Sequence, residues 1–438
     1  MGYIDHYEKY MREVVTDMER CKSSKDRIVF GYTSDVDVLV TYSEEAFNEI
    51  IKKFLKTDIY CNPEDVIDGM ESFARIIAYY MSTGIGGEAD IVNGEVCEYL
   101  IDHFETEYAL GGTGAQGAAA LGSIGMPLLV HISDKSEKVC EMMDYPGLES
   151  IRDGRRVPLR EVKAGESVYH MIFSYTKGDK FKVGEKEYTV PVSNRVIMGY
   201  DTMHKDMVVA DDFKEYLENH ADNVISYNLS GFNAILDPVL TAKRMEELGS
   251  HYRMIKEKNP DCIIYFESAH YLNPEVKHLV YKELSQYVNI MGMNEDELVV
   301  HTKECGVAMD HTSLSDVLMG MDLVIDKYQV NGIILHTKDY SMYYGDELVG
   351  VDVEKGLTIG NLLAGTKARV GHYGTLDEVW EGLDRPLSEA GLAFVKELEE
   401  MSPKRSICLV PSRYMEKPLC TIGLGDTFVA GVQFAFIK

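Results

Sequence analysis

No stretch of this 438-residue chain holds about 18 consecutive apolar residues, so the sequence offers no segment for a bilayer-spanning helix. Cysteine is sparse and unpatterned. Its eight copies, at 21, 61, 97, 140, 262, 305, 408 and 420, form no C-x-x-C pair. That spacing excludes a zinc knuckle or a dithiol redox motif, and free thiols in a reducing cytoplasm are the expectation. Positive charge is in deficit: Lys plus Arg number 44 against 72 for Asp plus Glu, a net charge of −28. A general nucleic-acid surface needs a basic stripe, and docking on anionic lipid needs a basic patch, so neither partner is expected. A small phosphorylated ligand is not excluded, because a local site can be positive on an acidic protein. The start, Met1-Gly2-Tyr3-Ile4-Asp5-His6, lacks a basic segment followed by an apolar one, so no secretory leader is expected. Gly2 is followed by His6 where myristoylation wants Ser or Thr. A Walker A loop is missing as well. Gly360-Asn361-Leu362-Leu363-Ala364-Gly365-Thr366-Lys367 has the spacing, but its last two residues are reversed and its leucines suit a packed helix.

What is present is an ordinary globular composition, 45% apolar and 26% charged, long enough for one large core and a smaller second domain. A short apolar strand over 27–32 runs into a loop with Asp35 and Asp37. Helical periodicity fills roughly 43–56 and 64–82. From about 161 to 200 the texture becomes alternating and antiparallel. Beyond it, strands near 223–227, 262–266, 288–291, 332–336 and 406–410 alternate with helices, the pattern of a mostly parallel α/β sheet. The expected organisation is a large α/β domain (1–37, 108–160 and 199–438) interrupted by a smaller one built from 38–107 and 161–198.

The most telling motif is Thr421-Ile422-Gly423-Leu424-Gly425-Asp426-Thr427, ahead of the apolar run Phe428-Val429-Ala430-Gly431-Val432. The run reads as a buried helix. The N–H groups of Gly423, Leu424 and Gly425 then sit at its N-terminus, where they face an anion. Asp426 beside such a hole is electrostatically awkward unless it takes a proton from an attacking hydroxyl. The plain alternative is a turn with a capping Asp.

Gly112-Thr113-Gly114-Ala115-Gln116-Gly117 satisfies G-x-G-x-x-G, with Asp134 about 20 residues on, in imitation of a dinucleotide fingerprint. The preceding segment 104–110 makes a poor buried strand. Glycines bringing amides near a polar ligand, or forming a hinge, are the favoured reading. Asn294-Glu295-Asp296-Glu297 follows a strand, and Glu267 ends another. Oxygen donors at parallel strand ends suit Mg²⁺, though Asn294 serves equally as a helix cap.

In this order along nearly the whole chain, these residues resemble the ADP-dependent glucokinases and phosphofructokinases, a branch of the ribokinase-like superfamily. The resemblance is carried by Gly31 to Asp37, Gly111-Gly112, Asn194-Arg195-Val196-Ile197, Ser230-Gly231-Phe232-Asn233, Tyr265 to Ala269, Asn294 with Glu297, Leu335-His336-Thr337, and Val410-Pro411 through Gly423-Leu424-Gly425-Asp426. It implies a ribokinase-like Rossmann-type sandwich with a smaller α/β lid. It also implies a cytoplasmic glycolytic kinase that moves a phosphoryl group from Mg-ADP to a hexose or hexose phosphate and releases AMP. Asp426 would be the base, and Gly423, Leu424, Gly425 and Arg195 would stabilise the phosphoryl group. Glu267, Asn294 and Glu297 would hold magnesium. Asp37, Glu88, Gly111, Gly112, Asn233 and Lys177 would meet the acceptor, and His336, Thr337, Val410 and Pro411 the nucleotide. Nothing here speaks to oligomeric state. Asn233 stands where the family has Gln, and Thr33-Ser34-Asp35 replaces an Asn-rich stretch, adding negative charge beside the sugar. Glu88 is similar to a glutamate of the glucose-using members, whereas Lys177 is similar to a phosphate-binding lysine of the phosphofructokinases. The alternatives are another ribokinase-like kinase, acting on a different sugar phosphate or a nucleoside, and a silent sugar or nucleotide sensor.

Overall fold

In the computed structural model, which describes residues 3–62, 65–201 and 203–438, a ten-stranded sheet, a five-stranded sheet and a two-stranded antiparallel ribbon share the described residues. In chain order the strands are β1 (Arg27–Gly31), β2 (Asp35–Thr41), β3 (Gly87–Asp90), β4 (Thr106–Gly111), β5 (Leu128–Val130), β6 (Leu148–Arg152) and β7 (Arg155–Pro158). They continue with β8 (Tyr169–Tyr175), β9 (Lys180–Val183), β10 (Lys186–Thr189), β11 (Asn194–Tyr200) and β12 (Val224–Leu229). The last are β13 (Ile263–Glu267), β14 (Ile290–Asn294), β15 (Gly332–His336), β16 (Tyr340–Gly345) and β17 (Ser406–Pro411). The large sheet has ten strands in the order β17-β16-β15-β14-β13-β12-β1-β5-β6-β7. Pairing is parallel from β15 through β12, β1 and β5 to β6, with antiparallel strands at both margins.

Both faces of this sheet are covered. Along β1, Ile28 and Phe30 enter one core cluster and Val29 the other. A strand buried on both sides reads as a continuous apolar run, which is why Arg27 to Tyr32 was recognisable. The smaller sheet, in the order β3-β11-β8-β2-β4, mixes parallel and antiparallel pairs. Val36, Val38 and Val40 of β2 join Met171 and Phe173 of β8 in its core.

Several local expectations shift. Asp35 and Asp37 do not end the first strand. They open β2 of the smaller sheet, because the chain breaks at 32–34 and re-pairs with β4 and β8. The helix expected from 64 starts at Met70, after Gly69; residues 63 and 64 lie outside the described residues. Glu295-Asp296-Glu297 form the first turn of a helix, Glu295–Glu304, whose capping box joins Asn294 and Glu297. The segment 104–110 does contain a strand, β4, but it is antiparallel and in the smaller sheet. Asp134 is buried, accepting from the amides of Ser136 and Val168. The dinucleotide fingerprint therefore lacks both its parallel first strand and its free acid. No helix of the described residues is long and apolar enough to cross a membrane, and all eight cysteines are free thiols.

The helix Leu424–Val432 lies against the helix Val353–Val370 at a seam of glycines. A Cβ on Gly431 would come within 2.5 Å of the Gly360 backbone, and one on Gly356 within 2.6 Å of the Ala435 side chain. The stretch with Walker-like spacing is thus the packed helix expected, and its glycines set how deeply the Asp426 helix sits. Gly431→Ala should overpack this crossing and cost about 1–3 kcal/mol of stability, read by thermal or denaturant unfolding. An unchanged midpoint would show that the seam tolerates separation.

Candidate active site

The parallel strands β1, β12, β13, β14 and β15 all end on one edge of the large sheet, at Gly31, Leu229, Glu267, Asn294 and His336. Ligand sites of open α/β sheets gather at such an edge. Here the N-terminus of the helix Leu424–Val432 arrives at the same edge and separates two clefts.

One cleft, of about 570 Å³, is lined by Asp35, Asp37, Glu88, Gly112, Gln116, His170, Asn233 and Asp426, among others. The other, of about 370 Å³, is lined by Asn294, His336, Thr337, Ser412 to Met415, Leu424 and Gly425. Asp426 faces the first, and the first-turn residues Leu424 and Gly425 face the second. Gly423, the residue before the helix, has φ of 66°, and a Cβ there would lie 1.8 Å from Gln116 Oε1. Only glycine fits that approach. The Gly423 carbonyl accepts from the amide and hydroxyl of Thr427, while the first N–H groups of the helix have no intrahelical partner.

Acidic groups crowd the first cleft. Gly111 makes room: a Cβ on it would meet Asp35 Oδ1 at 1.8 Å and Asp37 Oδ1 at 3.0 Å. Burial would raise Asp35, but His170 and His204 hold its carboxyl below the usual range. Asp37 is pushed up to about 7 by burial, then by Asp35 and Asp426. Burial alone would lower His170, yet Asp35, at 3.1 Å, and Asp37, at 3.8 Å, hold it up at about 9. His204 Nδ1 lies 3.1 Å from Asp201, while its Nε2 meets Ser133 Oγ at 2.7 Å and the Ser34 carbonyl at 3.0 Å. Asp35, His170 and His204 bring ligand atoms within 4.8 Å of one another. With both His204 nitrogens engaged, the group is an alternating ladder of carboxylates and imidazoles rather than a metal cage. Asp426 is raised by burial, and a Thr113 hydrogen bond and the Lys367 charge oppose that rise.

Along the second cleft, His336 Nε2 meets Glu267 Oε1 at 2.8 Å, and Tyr265 donates to the other Glu267 oxygen. A Cβ on Gly425 would sit 3.1 Å from the His336 ring, so this turn needs glycine to pack. Glu297 is pushed up to about 7 by burial and by Glu267. Thr337 closes its own turn by donating to the Tyr340 carbonyl. Val410 and Pro411 are buried in β17, behind the wall that Ser412 to Met415 present to the cleft.

Most expected residues therefore gather at one edge. Arg195, in β11, and Lys177, in the turn after β8, are exposed and are not among the residues lining the acidic cleft. Residues that sequence reasoning passed over include His170, His204, Asp201, Gln116 and Lys367. His170 became recognisable only through register, since β8 pairs it with Asp37. Gln116 was in plain view in the G-x-G-x-x-G stretch, one helical turn after Gly112.

The site thus has a buried carboxylate in the first turn of a helix, set between two clefts at the strand ends of a Rossmann-type α/β scaffold. The comparisons supply the class. Residues 26–434 match the model of the ADP-specific phosphofructokinase/glucokinase conserved region. The chain is 24% identical to an ADP-specific phosphofructokinase of Thermococcus litoralis, over 94% of this chain and 96% of that one. It is 23% identical to an ADP-dependent glucose/glucosamine kinase of Pyrococcus abyssi, over 98% and 97%. A solved structure of the last common ancestor of ADP-dependent phosphofructokinases from Methanosarcinales superposes with a TM-score of 0.82 at 20% identity, over 100% and 99% of the two chains. The chain belongs to the ADP-specific phosphofructokinase/glucokinase family and has its ribokinase-like fold. It is an ADP-dependent sugar kinase.

The crowded carboxylates carry a pH signature. Asp37 titrates near 7 in the folded protein and about 3.9 when unfolded, so the native state binds more protons between these values. Its contribution to stability therefore falls as pH rises from about 4 to 7. Asp37→Asn removes that loss. The variant should gain about 2 °C or more over wild type between pH 5 and pH 8, and a melting difference that does not grow with pH would refute the raised carboxyl.

Proposed function

We propose that the protein transfers the β-phosphoryl group of Mg-ADP to the primary hydroxyl of an uncharged, glucose-like hexose and releases AMP. The observation that carries this reading is the acidity of the acceptor cleft. Asp35, Asp37, Glu88 and Asp426 all line it, and among the described residues its cations are already paired, Lys205 with Asp90 at 2.8 Å and His170 with Asp35 at 3.1 Å. Carboxylates accept hydrogen bonds from sugar hydroxyls and repel an acceptor phosphate. Glu88, exposed on β3 at the rim, is placed to take such bonds.

In this reading, Asp426 accepts the proton of the attacking hydroxyl, and the unpaired amides at the start of its helix hold the transferring group. The Gly423 turn directs those amides at the boundary between the clefts. Glu267, Asn294 and Glu297 would hold magnesium. The fit rests on Glu267, buried at the end of β13, and half-buried Glu297, whose carboxyl burial and the Glu267 charge push up and a cation would relieve. Asn294 and Glu297 hydrogen-bond one another's backbone amides at the helix start, which fixes their orientation. When bound, the ion would neutralise phosphate charge. The segments 38–107 and 161–198 act as a lid on the acceptor cleft. Lid closure is what would bring Arg195 to the phosphates and exclude water, so that transfer wins over hydrolysis.

A second reading, with fructose 6-phosphate as acceptor, is favoured by the phosphofructokinases among the relatives. It needs Lys177 to reach the cleft on closure.

Phosphorus NMR with Mg²⁺, ADP or ATP, and a panel including glucose and fructose 6-phosphate decides between them. AMP formed from ADP with glucose is the expected result. AMP formed only with fructose 6-phosphate would establish the second reading, and turnover with ATP alone would overturn the donor. Asp426→Asn should lower kcat by about 10²–10⁴-fold.

A further inference from the structure

Lys367 lies in the last turn of the helix Val353–Val370, in the stretch whose Walker-like spacing had no function of its own. It is 6% exposed. A lysine so deeply buried is rare unless its charge is matched. Its ammonium donates to Gln116 Oε1 at 2.8 Å and lies 3.5 Å from the Gly423 carbonyl. It also sits over the Tyr373 ring, 4.3 Å from the centroid. None of these partners is an anion. The carboxylates that face it are those of Asp426 and Asp37.

We propose that Lys367 is a positioning residue for the transfer: its buried ammonium clamps Gln116 and the Gly423 turn together and places a positive charge on the side of the helix start that carries Asp426. The inference rests on Asp426 being the base. The clamp joins the two elements that make up the reaction centre. Gln116 belongs to the helix Thr113–Ser123, which lines the acceptor cleft, and Gly423 sets the start of the base-bearing helix. Lys367 and the Tyr373 hydroxyl both donate to the Gln116 carbonyl oxygen, so its amide N–H groups are left for the cleft.

The charge matters because every other neighbour of Asp426 is weak or opposed. Glu267 and Asp37 face it with like charge. Tyr373 is a neutral phenol, Thr113 supplies one hydrogen bond, and the His336 charge is shared with Glu267. Burial favours the protonated acid, which is useless as a base. Lys367 is the cation from the opposite helix that opposes this rise in Asp426. Burial in turn lowers the lysine, and Asp426 offsets part of that fall, so each charge lessens the other's cost of burial.

The test is the pH dependence of kcat, from pH 5.5 to 9 with ADP and the best acceptor, for wild type, Lys367→Met, Lys367→Gln, Lys367→Arg and Asp426→Asn. Melting temperatures check that each variant is folded. Loss of the cation should move the acid limb of the neutral variants up by about one pH unit or more, with a roughly tenfold deficit near pH 6.5 that shrinks toward pH 9. Lys367→Arg should keep the limb in place. A neutral variant whose limb stays put, or whose kcat falls equally at every pH, would overturn the electrostatic role. Should the neutral variants not fold, a moved limb in Lys367→Arg overturns it, and an unmoved one supports it. Asp426→Asn separates the two ideas. An active Asp426→Asn enzyme sinks the base assignment and this inference together, whereas an inactive one with unmoved limbs sinks only the role of Lys367.

Discussion

The site depends on packing carboxylates where water is scarce. Asp35, Asp37 and Asp426 converge at one sheet edge, and Glu267 and Glu297 meet a few residues away along the same edge. Buried like charges are unstable unless each is neutralised, protonated or paired. The protein uses all three solutions. His170 pairs with Asp35, Asp37 keeps a proton up to about pH 7, and Lys367 stands across from Asp426. Glycines at 111, 423 and 425 make the crowding geometrically possible, because a Cβ at each would press on Asp35, Gln116 or His336. The backbone has been emptied of side chains where the chemistry is concentrated.

The architecture was legible in the sequence because its central strands are buried on both faces and read as unbroken apolar runs between periodic helices. The strand ending at His336 and the helix following Gly423 were placed almost to the residue. The antiparallel margins were harder. Tyr340–Gly345 is an aromatic edge-side strand whose composition fits a buried helix or strand equally. At the site, residues in motifs could be found: Asp426 by its glycines, and Asn294 with Glu297 by their spacing. Residues whose role comes from register or from a distant helix could not. His170 joins the site because β8 lies beside β2, and Lys367 because two helices cross at Gly360 and Gly431. Neither relation leaves a local pattern. Asn294 and Glu297 also show that a structural and a functional reading need not compete, since their capping box leaves them fixed at a strand end where donors are wanted.

In the proposed reading, the helix start between the clefts reconciles the net acidity of the chain with phosphate handling. Phosphate binding there does not require a basic surface. It requires unpaired N–H groups and a dipole end, which the backbone of Leu424 and Gly425 provides without lysine or arginine. The acidic side chains can then be given over to hydroxyl recognition on the other side of the same turn. Such a division has a consequence for specificity. A cleft that recognises hydroxyls by carboxylates can admit a phosphorylated acceptor only if cations are delivered from elsewhere, and the exposed candidates, Lys177 and Arg195, lie on the smaller sheet. In the proposed reading, acceptor choice would follow from how the smaller sheet closes, whereas proton abstraction would belong to the edge of the large sheet. On that reading the two could diverge independently, and the family does hold both phosphofructokinases and a glucose/glucosamine kinase.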